Sequence, residues 1–462
     1  MGSVRVPRGG ATVIPSGSGS LAARLGVVGL VAATAVGSVA APAAAESDPG
    51  WVSAWLGDTT IGAAGAPGRT AALSMTNVGA VNPRVSFDLT ALAGVATATF
   101  PDWCVSSATA VTCPMPPTAT PDEFGTVNGT VPVVLRAVPG AADGATGTIG
   151  YTVAADQVDP ETQQATVTVA AGPAAVDLVD AYVPGPAVGD RIGVPVAVAN
   201  GGHQPIEDLR VTLRFPVGLA PKAYRNCRYG TDPIVLATVM VCTVRGGFAP
   251  GQRYEARGGI PTRVTPAALG NKGITQFVEP LAMAGPLPAG VKLTRREADR
   301  PLRLRAVGEP VDVLTAEQDD AWGLYYLRGI RGAFDVVALG ATATGAVGDT
   351  VQVQVGIRND GPGVPDDTVS GGGSASFRFV PPAGATVTNH PARCSPSDGE
   401  EGGPVYWYCG KPGLVFPAGE TFTVAFDLRI DGPAGAAGEV RVDPYPRIDD
   451  HPANDVAAVT LG

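Results

Sequence analysis

Lysine and histidine are scarce in this chain of 462 residues. There are 4 Lys against 28 Arg, and three His: His203, His390 and His451. Charged residues make up 16% and aromatic residues 6%, where an ordinary soluble protein has about 25% charged residues. So few His leave little room for a His-based catalytic centre or a His-rich metal site. His203 stands beside Gly201-Gly202, and His390 and His451 each precede a proline, so all three read as surface turn residues. The sequence has no Gly-x-Ser-x-Gly elbow, no His-Glu-x-x-His pair and no phosphate-binding Gly-x-x-x-x-Gly-Lys-Ser/Thr loop. Gly371-Gly372-Gly373 has no flanking strand–helix unit to make it a dinucleotide fingerprint. A dispersed carboxylate pair of the glycosidase kind is the one catalytic arrangement that short motifs do not address. The chain is expected not to be an enzyme. The formal net charge of −10 argues against a nucleic-acid partner, because phosphate binding needs clustered Lys and Arg.

Gly and Pro are abundant, 62 and 43 residues, and 45% of the chain is hydrophobic. That is enough apolar material for a core, and disorder is not expected over most of the length. At the N-terminus, Arg5, Arg8 and Arg24 precede an uncharged apolar run from Leu25 to Val39, and Ala43-Ala44-Ala45 follows. This is the layout of a secretory signal peptide over residues 1–45. The competing reading is an uncleaved membrane anchor, against which stand the Ala/Gly/Val composition and Pro42. No adjacent Arg pair supports a twin-Arg route. No apolar tail or LPxTG motif closes the sequence, so the mature protein is expected to be released or held at the envelope non-covalently.

A skeleton repeats three times. A strand-like segment opens each copy: Trp51 to Gly57, Val176 to Val183, Phe334 to Leu339. A Gly-led strand ending at Asn follows: Gly68 to Asn77, Gly189 to Asn200, Gly348 to Asn359. Asn with a nearby Gly reads as a turn signal, since both tolerate positive φ. A second alternating strand leads to a Gly-centred corner at Gly94, Gly218 and Gly384. A cysteine pair comes next, Cys104/Cys113, Cys227/Cys242 and Cys394/Cys409, then in the last two copies the turns Phe248-Ala249-Pro250-Gly251 and Phe416-Pro417-Ala418-Gly419. Thr421 to Asp431 alternates strictly, as a half-buried strand does. The one candidate helix, Thr315 to Arg328, reads equally as an acidic linker entering a strand at Trp322 to Leu327. These patterns predict an all-β protein of three tandem Ig-like β-sandwich domains after the signal peptide. The expected boundaries are 46–172, 173–310 and 331–462, with a linker at 311–330.

Six Cys, two per repeat, in an exported chain predict three local disulfides, one per module. Each stabilises its module by about 3 kcal/mol in the chain-entropy model. Neither Cys-x-x-Cys nor a nearby His supports a metal site. Two features bear on binding. Alternation in Tyr406-Trp407-Tyr408-Cys409 turns Trp407 inward with Cys409 and leaves Tyr406 and Tyr408 outward. There they either stack on a sugar or cover the sandwich. The acidic clusters Glu317/Asp319/Asp320, Asp366/Asp367 and Asp449/Asp450/Asp455 supply oxygen ligands of the kind Ca²⁺ takes. None has the spacing of a calcium loop, and a solvated acidic surface is the plainer reading; no cofactor is expected.

The motifs Val347-Gly348-Asp349-Thr350, Asn359-Asp360-Gly361, Val188-Gly189-Asp190 and Asn200-Gly201, with the paired cysteines, resemble the Ig-like conserved repeats of bacterial secreted and surface proteins. These belong to a domain-of-unknown-function family related to the CARDB-like cell-adhesion domains. The Ala/Gly/Val/Pro-rich, Lys-poor composition resembles an actinobacterial secretome. The resemblance implies an extracellular scaffold or adhesion protein, non-catalytic, with an envelope component or an extracellular protein or glycan as partner. The alternatives are a carbohydrate-binding protein using Tyr406 and Tyr408, or an N-terminally anchored envelope stalk. Intact-mass measurement of protein from culture medium is expected to show residues 1–45 removed and six hydrogens lost to disulfides; retention of Met1 to Ala45 would establish the anchor instead.

Overall fold

Backbone donors that cannot pair within a helix must pair between strands, and Gly and Pro every few residues keep helices from forming. The computed structural model describes residues 50–107, 110–122, 125–315, 321–366, 374–398, 404–443 and 449–462. Among these there is no α-helix, only three short 3₁₀ turns, and no helix long and apolar enough to cross a membrane. The predicted signal peptide, Glu317, Asp319, Asp320, Asp367 and Gly371–Gly373 lie outside the described residues.

Three hydrophobic cores are stacked along the chain, each between antiparallel sheets. In the first module one sheet runs Trp51–Trp55, Gly68–Val78, Thr126–Ala137, Ala96–Thr99. The facing sheet includes Thr59–Gly62, Val158–Ala170, Thr146–Asp156, Val81–Asp88 and Ala110–Pro114. Leu73, Met75, Val85, Phe87, Val133 and Val167 fill the space between them. In the third module Val336–Leu339, Thr350–Asn359, Thr421–Ile430 and Ala385–Asn389 face a second sheet. That sheet includes Val456–Leu461, Gly438–Asp443, Ser376–Val380 and Tyr406–Gly410. Phe377, Phe379, Phe422 and Phe426 dominate this core, on the alternating positions the sequence predicts.

The middle module is built on a seven-stranded sheet. Its order is Asp180–Pro184, Trp322–Ile330, Gly270–Pro280, Ile206–Phe215, Thr238–Phe248, Cys227–Thr231, Thr294–Arg295. Here two expectations are corrected. Residues 311–330 are not a linker, and no helix runs through Thr315 to Arg328 beyond the undescribed 316–320. Trp322–Ile330 pairs antiparallel with Gly270–Pro280 and parallel with Asp180–Pro184. The same parallel closure joins Thr59–Gly62 to Val158–Ala170 and Ala341–Ala343 to Val456–Leu461. Each sandwich is thus closed by its last strand, and Trp322–Ile330 is the last strand of the second. The predicted strand Gly189 to Asn200 is also two strands, Arg191–Val194 and Ala197–Asn200, in different sheets. Pro195 between them has no N–H to donate, which favours the break.

The expected role of the asparagines is revised as well. Asn200 and Asn359 do not have positive φ; their side chains do the work. Asn200 Nδ2 donates to the carbonyls of Gln204 at 2.7 Å and Phe248 at 2.9 Å, and its Oδ1 accepts from Gly202 N–H. Asn359 Nδ2 donates to Gly363 at 2.9 Å and Phe416 at 2.7 Å, and Oδ1 accepts from Gly361 N–H. Both residues are fully buried. The Phe-x-x-Gly turn of the sequence is therefore the far wall of an asparagine socket. The corner glycines do need positive φ: Gly218 at 92° and Gly384 at 91°.

The modules are joined by structure as well as by sequence. Val313–Thr315 leaves the middle module and pairs parallel with Gly68–Thr70 of the first, where Arg136 and Asp312 form a two-point ion pair. At the other end Leu269 of the middle module belongs to the third core, and Val364 N–H donates to Ala267 O at 3.0 Å. Lys272 Nζ, wholly buried, lies 3.2 Å from Asp366 and 3.4 Å from Val364 O. Burial holds the Lys272 ammonium below its usual pKa range, and the Asp366 charge pulls it back up. A buried charge left without its partner is costly. Lys272→Met is therefore expected to destabilise the protein by about 3 kcal/mol in denaturant unfolding, and Lys272→Met/Asp366→Asn is expected to recover much of that loss.

Candidate functional site

All three disulfides form as predicted, Cys104–Cys113, Cys227–Cys242 and Cys394–Cys409. Two of them join neighbouring strands of one sheet: Cys227 faces Cys242 and Cys394 faces Cys409 in direct register. Cys104 lies just before the short strand Val105–Ser106, which pairs with the strand of Cys113.

The aromatic run of the third module is arranged as alternation requires, with one modification. Cys409 is buried, and Trp407 is half-buried against Phe426 and His390, at 5.8 and 4.3 Å between ring centroids. Tyr408 is 42% exposed. Tyr406 is only half-exposed, because the Arg378 guanidinium lies over its ring at 5.1 Å. The two tyrosines therefore share a face but not an open one. The histidines are more than turn residues: His390 stacks on Trp407, and His203 Nδ1 accepts from Gly172 N–H at 3.2 Å. His451 lies 3.3 Å from Asp335.

The acidic residues near the C-terminus close the third sandwich. Asp449 accepts from Val336 N–H at 2.8 Å and Asp450 from Phe334 N–H at 2.9 Å. Asp335 accepts from the Asn454 side chain at 2.9 Å. Among the described residues no three His, Cys, Asp or Glu side chains converge as a metal-holding group.

One large concave surface among the described residues is not anticipated by the sequence motifs. It lies on the outer face of the seven-stranded sheet, where a strap of residues 281–304 crosses the strands. Two grooves flank the strap. The first, about 660 Å³, runs past Thr212, Arg214, Phe277, Glu279, Trp322 and Leu324. Phe277 and Trp322 are direct cross-strand partners and are 39% and 41% exposed. The second, about 1090 Å³, is lined by Arg225, Arg228, Arg245, Arg295 and Arg303 among others. Arg210 borders both. It is committed to Glu279 at 2.6 Å and to Gly285 O at 2.7 Å, which ties the start of the strap to the sheet.

The rest of the strap is held as firmly. Asn226 donates to Thr243 O and Leu302 O and accepts from Leu302 N–H at 2.7 Å. Arg228 donates to Leu293 O, and Thr294 to Tyr229 O. Gly230 is required here, since a Cβ at that position would lie 2.8 Å from Lys292 O. The Arg296 guanidinium stacks on the Tyr229 ring at 4.7 Å. Leu302 points into the core and Arg303 outward, as strand-like alternation dictates. The arrangement offers fixed cations and an aromatic platform.

The signal for this surface was present in the sequence but diluted. Residues 205–310 hold 16 of the 32 Lys+Arg and only 8 of the 42 Asp+Glu. The overall acidic balance concealed a basic segment.

The chain matches no protein-family model and no curated protein. Among solved structures it is similar to a tetra-tandem repeat in the extending region of a large adhesion protein, at 13% identity over 89% of this chain and 73% of that one, TM-score 0.25. It is similar to a complex of Dpr2 Ig1-Ig2 with DIP-Theta Ig1-Ig3, at 10% identity over 90% and 99%, TM-score 0.23. A third is the Protocadherin GammaB4 extracellular domain, at 12% identity over 90% of this chain and 51% of that one, TM-score 0.17. Scores this low add nothing to the argument, and the fold rests on the sheets described above.

Two carboxyl groups with raised pKa add a contribution to stability that falls as pH rises. Burial, the Asp449 charge, a hydrogen bond to Asp449 and the Asp335 charge push Asp455 up to about 6, against Arg441. Burial pushes Asp177 up to about 7, against the Val179 N–H bond. The folded form holds these protons more tightly than the unfolded form, so stability falls as pH rises from about 4 through 6 and 7. Asp455→Asn and Asp177→Asn are each expected to raise Tm relative to the parent at pH 8 and to lose that advantage at pH 4, as read by thermal unfolding.

Proposed function

We propose that this protein is a secreted, extracellular, non-catalytic binding arm, an adhesion-type scaffold of three tandem Ig-like modules. The modules are taken as 46–172, 173–330 and 331–462, with Trp322–Ile330 assigned to the second. The observation that carries the reading is the braced middle module. It is tied to the first by the Val313–Thr315 pairing and to the third by the Lys272–Asp366 pair. Between these ties it presents a sheet face whose grooves face solvent. Three disulfides suit an oxidising, extracellular setting. Catalysis has no support in the site, because its polar groups are cations and paired carboxylates.

A carbohydrate ligand is the second reading. Tyr408 supports it, but the Arg378 cover on Tyr406 favours moving the aromatic contact to Phe277 and Trp322. The attachment role is tested by co-sedimentation of the mature protein with the producing organism's own cell envelopes, in Ca²⁺ and in EDTA. Pelleting in both is expected. Remaining in the supernatant in both would overturn attachment to the envelope. Pelleting in Ca²⁺ alone would transfer the attachment to the acidic clusters.

A further inference from the structure

Arg225, Arg228, Arg245, Arg295 and Arg303 line one trough and are all exposed. Among the described residues none of the five has a carboxylate partner. Glu297 and Asp299, on the same strap, form no ion pair with them. Arg228 and Arg295 are directly registered cross-strand partners, and like charges facing one another destabilise a sheet. The chain has ten more acidic than basic residues, yet the one acidic residue registered with these arginines is Asp208, opposite Arg245, and it forms no ion pair with it among the described residues. The disulfide Cys227–Cys242 and the Asn226 bonds beneath hold the backbone that carries Arg225 and Arg228 in place. Most of the charge is therefore unpaired and borne on a fixed backbone, which lowers the ordering cost of binding an anion.

We propose that this trough binds a linear acidic polysaccharide, its carboxylates held by the arginines and its sugar rings lying on the adjoining Phe277–Trp322 pair. The inference rests on the binding-arm reading and names the ligand class. Arginine's planar fork matches a carboxylate with two parallel hydrogen bonds. An aromatic face carries negative charge density that attracts the C–H groups of a pyranose ring. Arg210 borders both grooves, and a chain-like ligand reaches from one to the other by passing over the strap where Arg210 holds Gly285. Spacing favours a polymer with one charge per sugar or two. Arg225 and Arg228 are separated by at most about 11 Å of chain, and neighbouring strands bearing Arg228 and Arg295 lie about 4.8 Å apart. Duplex DNA presents a charge every ~1.7 Å, a closer spacing than that of these arginines. An acidic peptide would use the arginines but leave the aromatic platform unexplained.

The test is affinity electrophoresis of the full mature chain in native gels containing polygalacturonate, with dextran, poly-glutamate and duplex DNA in parallel gels. Polygalacturonate is expected to retard the protein, dextran not, with retardation falling as salt is raised. Arg228→Ser/Arg295→Ser is expected to weaken binding by about tenfold or more, since two charge-assisted contacts are lost. Arg225→Ser/Arg303→Ser, from other segments of the trough, is expected to do the same, which guards against local misfolding in either variant. Arg358→Ser/Arg429→Ser removes equal charge from the third module and is expected to leave binding unchanged. The proposal is overturned by an absence of retardation in polygalacturonate, by equal retardation of parent and both trough variants, or by stronger retardation in poly-glutamate or DNA. Envelope co-sedimentation run beside it separates the two readings. Pelleting without polygalacturonate binding rejects the ligand class and leaves the binding arm standing, whereas failure of both rejects both.

Discussion

A buried asparagine organises each of the last two modules. Asn200 and Asn359 sit at the ends of core strands, and each side chain satisfies two carbonyls and one N–H. Their backbones add a further bond each, from Gly251 N–H at 2.8 Å and Gly419 N–H at 2.6 Å. With Ala174 N–H also reaching Asn200 Oδ1 at 3.4 Å and Asn359 N–H donating to Glu420 O at 3.1 Å, five surrounding groups are thus gathered on each asparagine. Burying such groups unpaired costs about 1–3 kcal/mol each, so the loops have one satisfactory arrangement. That arrangement fixes where the next strands begin, and through them the cysteine-bearing edge of each sheet. In the first module Asn77 is in the equivalent sequence position, but its Oδ1 has no partner among the described residues. The first module also has the short, nine-residue cysteine spacing.

The middle module differs from its neighbours by the strap of residues 281–304. In the third module the corresponding sheet face is covered by its own pairs, such as Arg378 over Tyr406 and the Arg441–Glu439 pair. In the middle module Arg210, Asn226 and Arg228 are spent on holding the strap, and the strap brings Arg295 and Arg303 to the sheet. The result is a trough with rigid walls. Rigidity at its two ends comes from the pairing to the first module and from the wholly buried Lys272–Asp366 contact with the third.

Much of this was legible in the sequence. The strand at Thr421–Ile430 is observed almost to the residue, because strict alternation has only one structural solution. The pairing of cysteines followed from their repetition, and the inward turn of Trp407 followed from strand parity. What was not legible shares a cause. A strand at Trp322–Leu327 was one of two equal readings of that segment, and nothing local chose it over a helix or placed it in the second sandwich, because its partners, Gly270–Pro280 and Asp180–Pro184, lie about 50 and 140 residues away in sequence. Phe277 and Trp322 likewise become a pair only through that register. The arginines were visible singly, but composition averages over the chain whereas electrostatics acts between neighbours in space.

The sequence by itself determined the class of structure: the repeat, the alternation, the Gly corners and the disulfide pairs are local in chain distance, and local periodicity selects strands. Tertiary structure alone decided which strand closes the middle sandwich, how the modules are tied together and which arginines of the basic segment meet in one trough. Those outcomes depend on strand register and on the path of a long strap, and both are set by contacts between residues far apart in the chain.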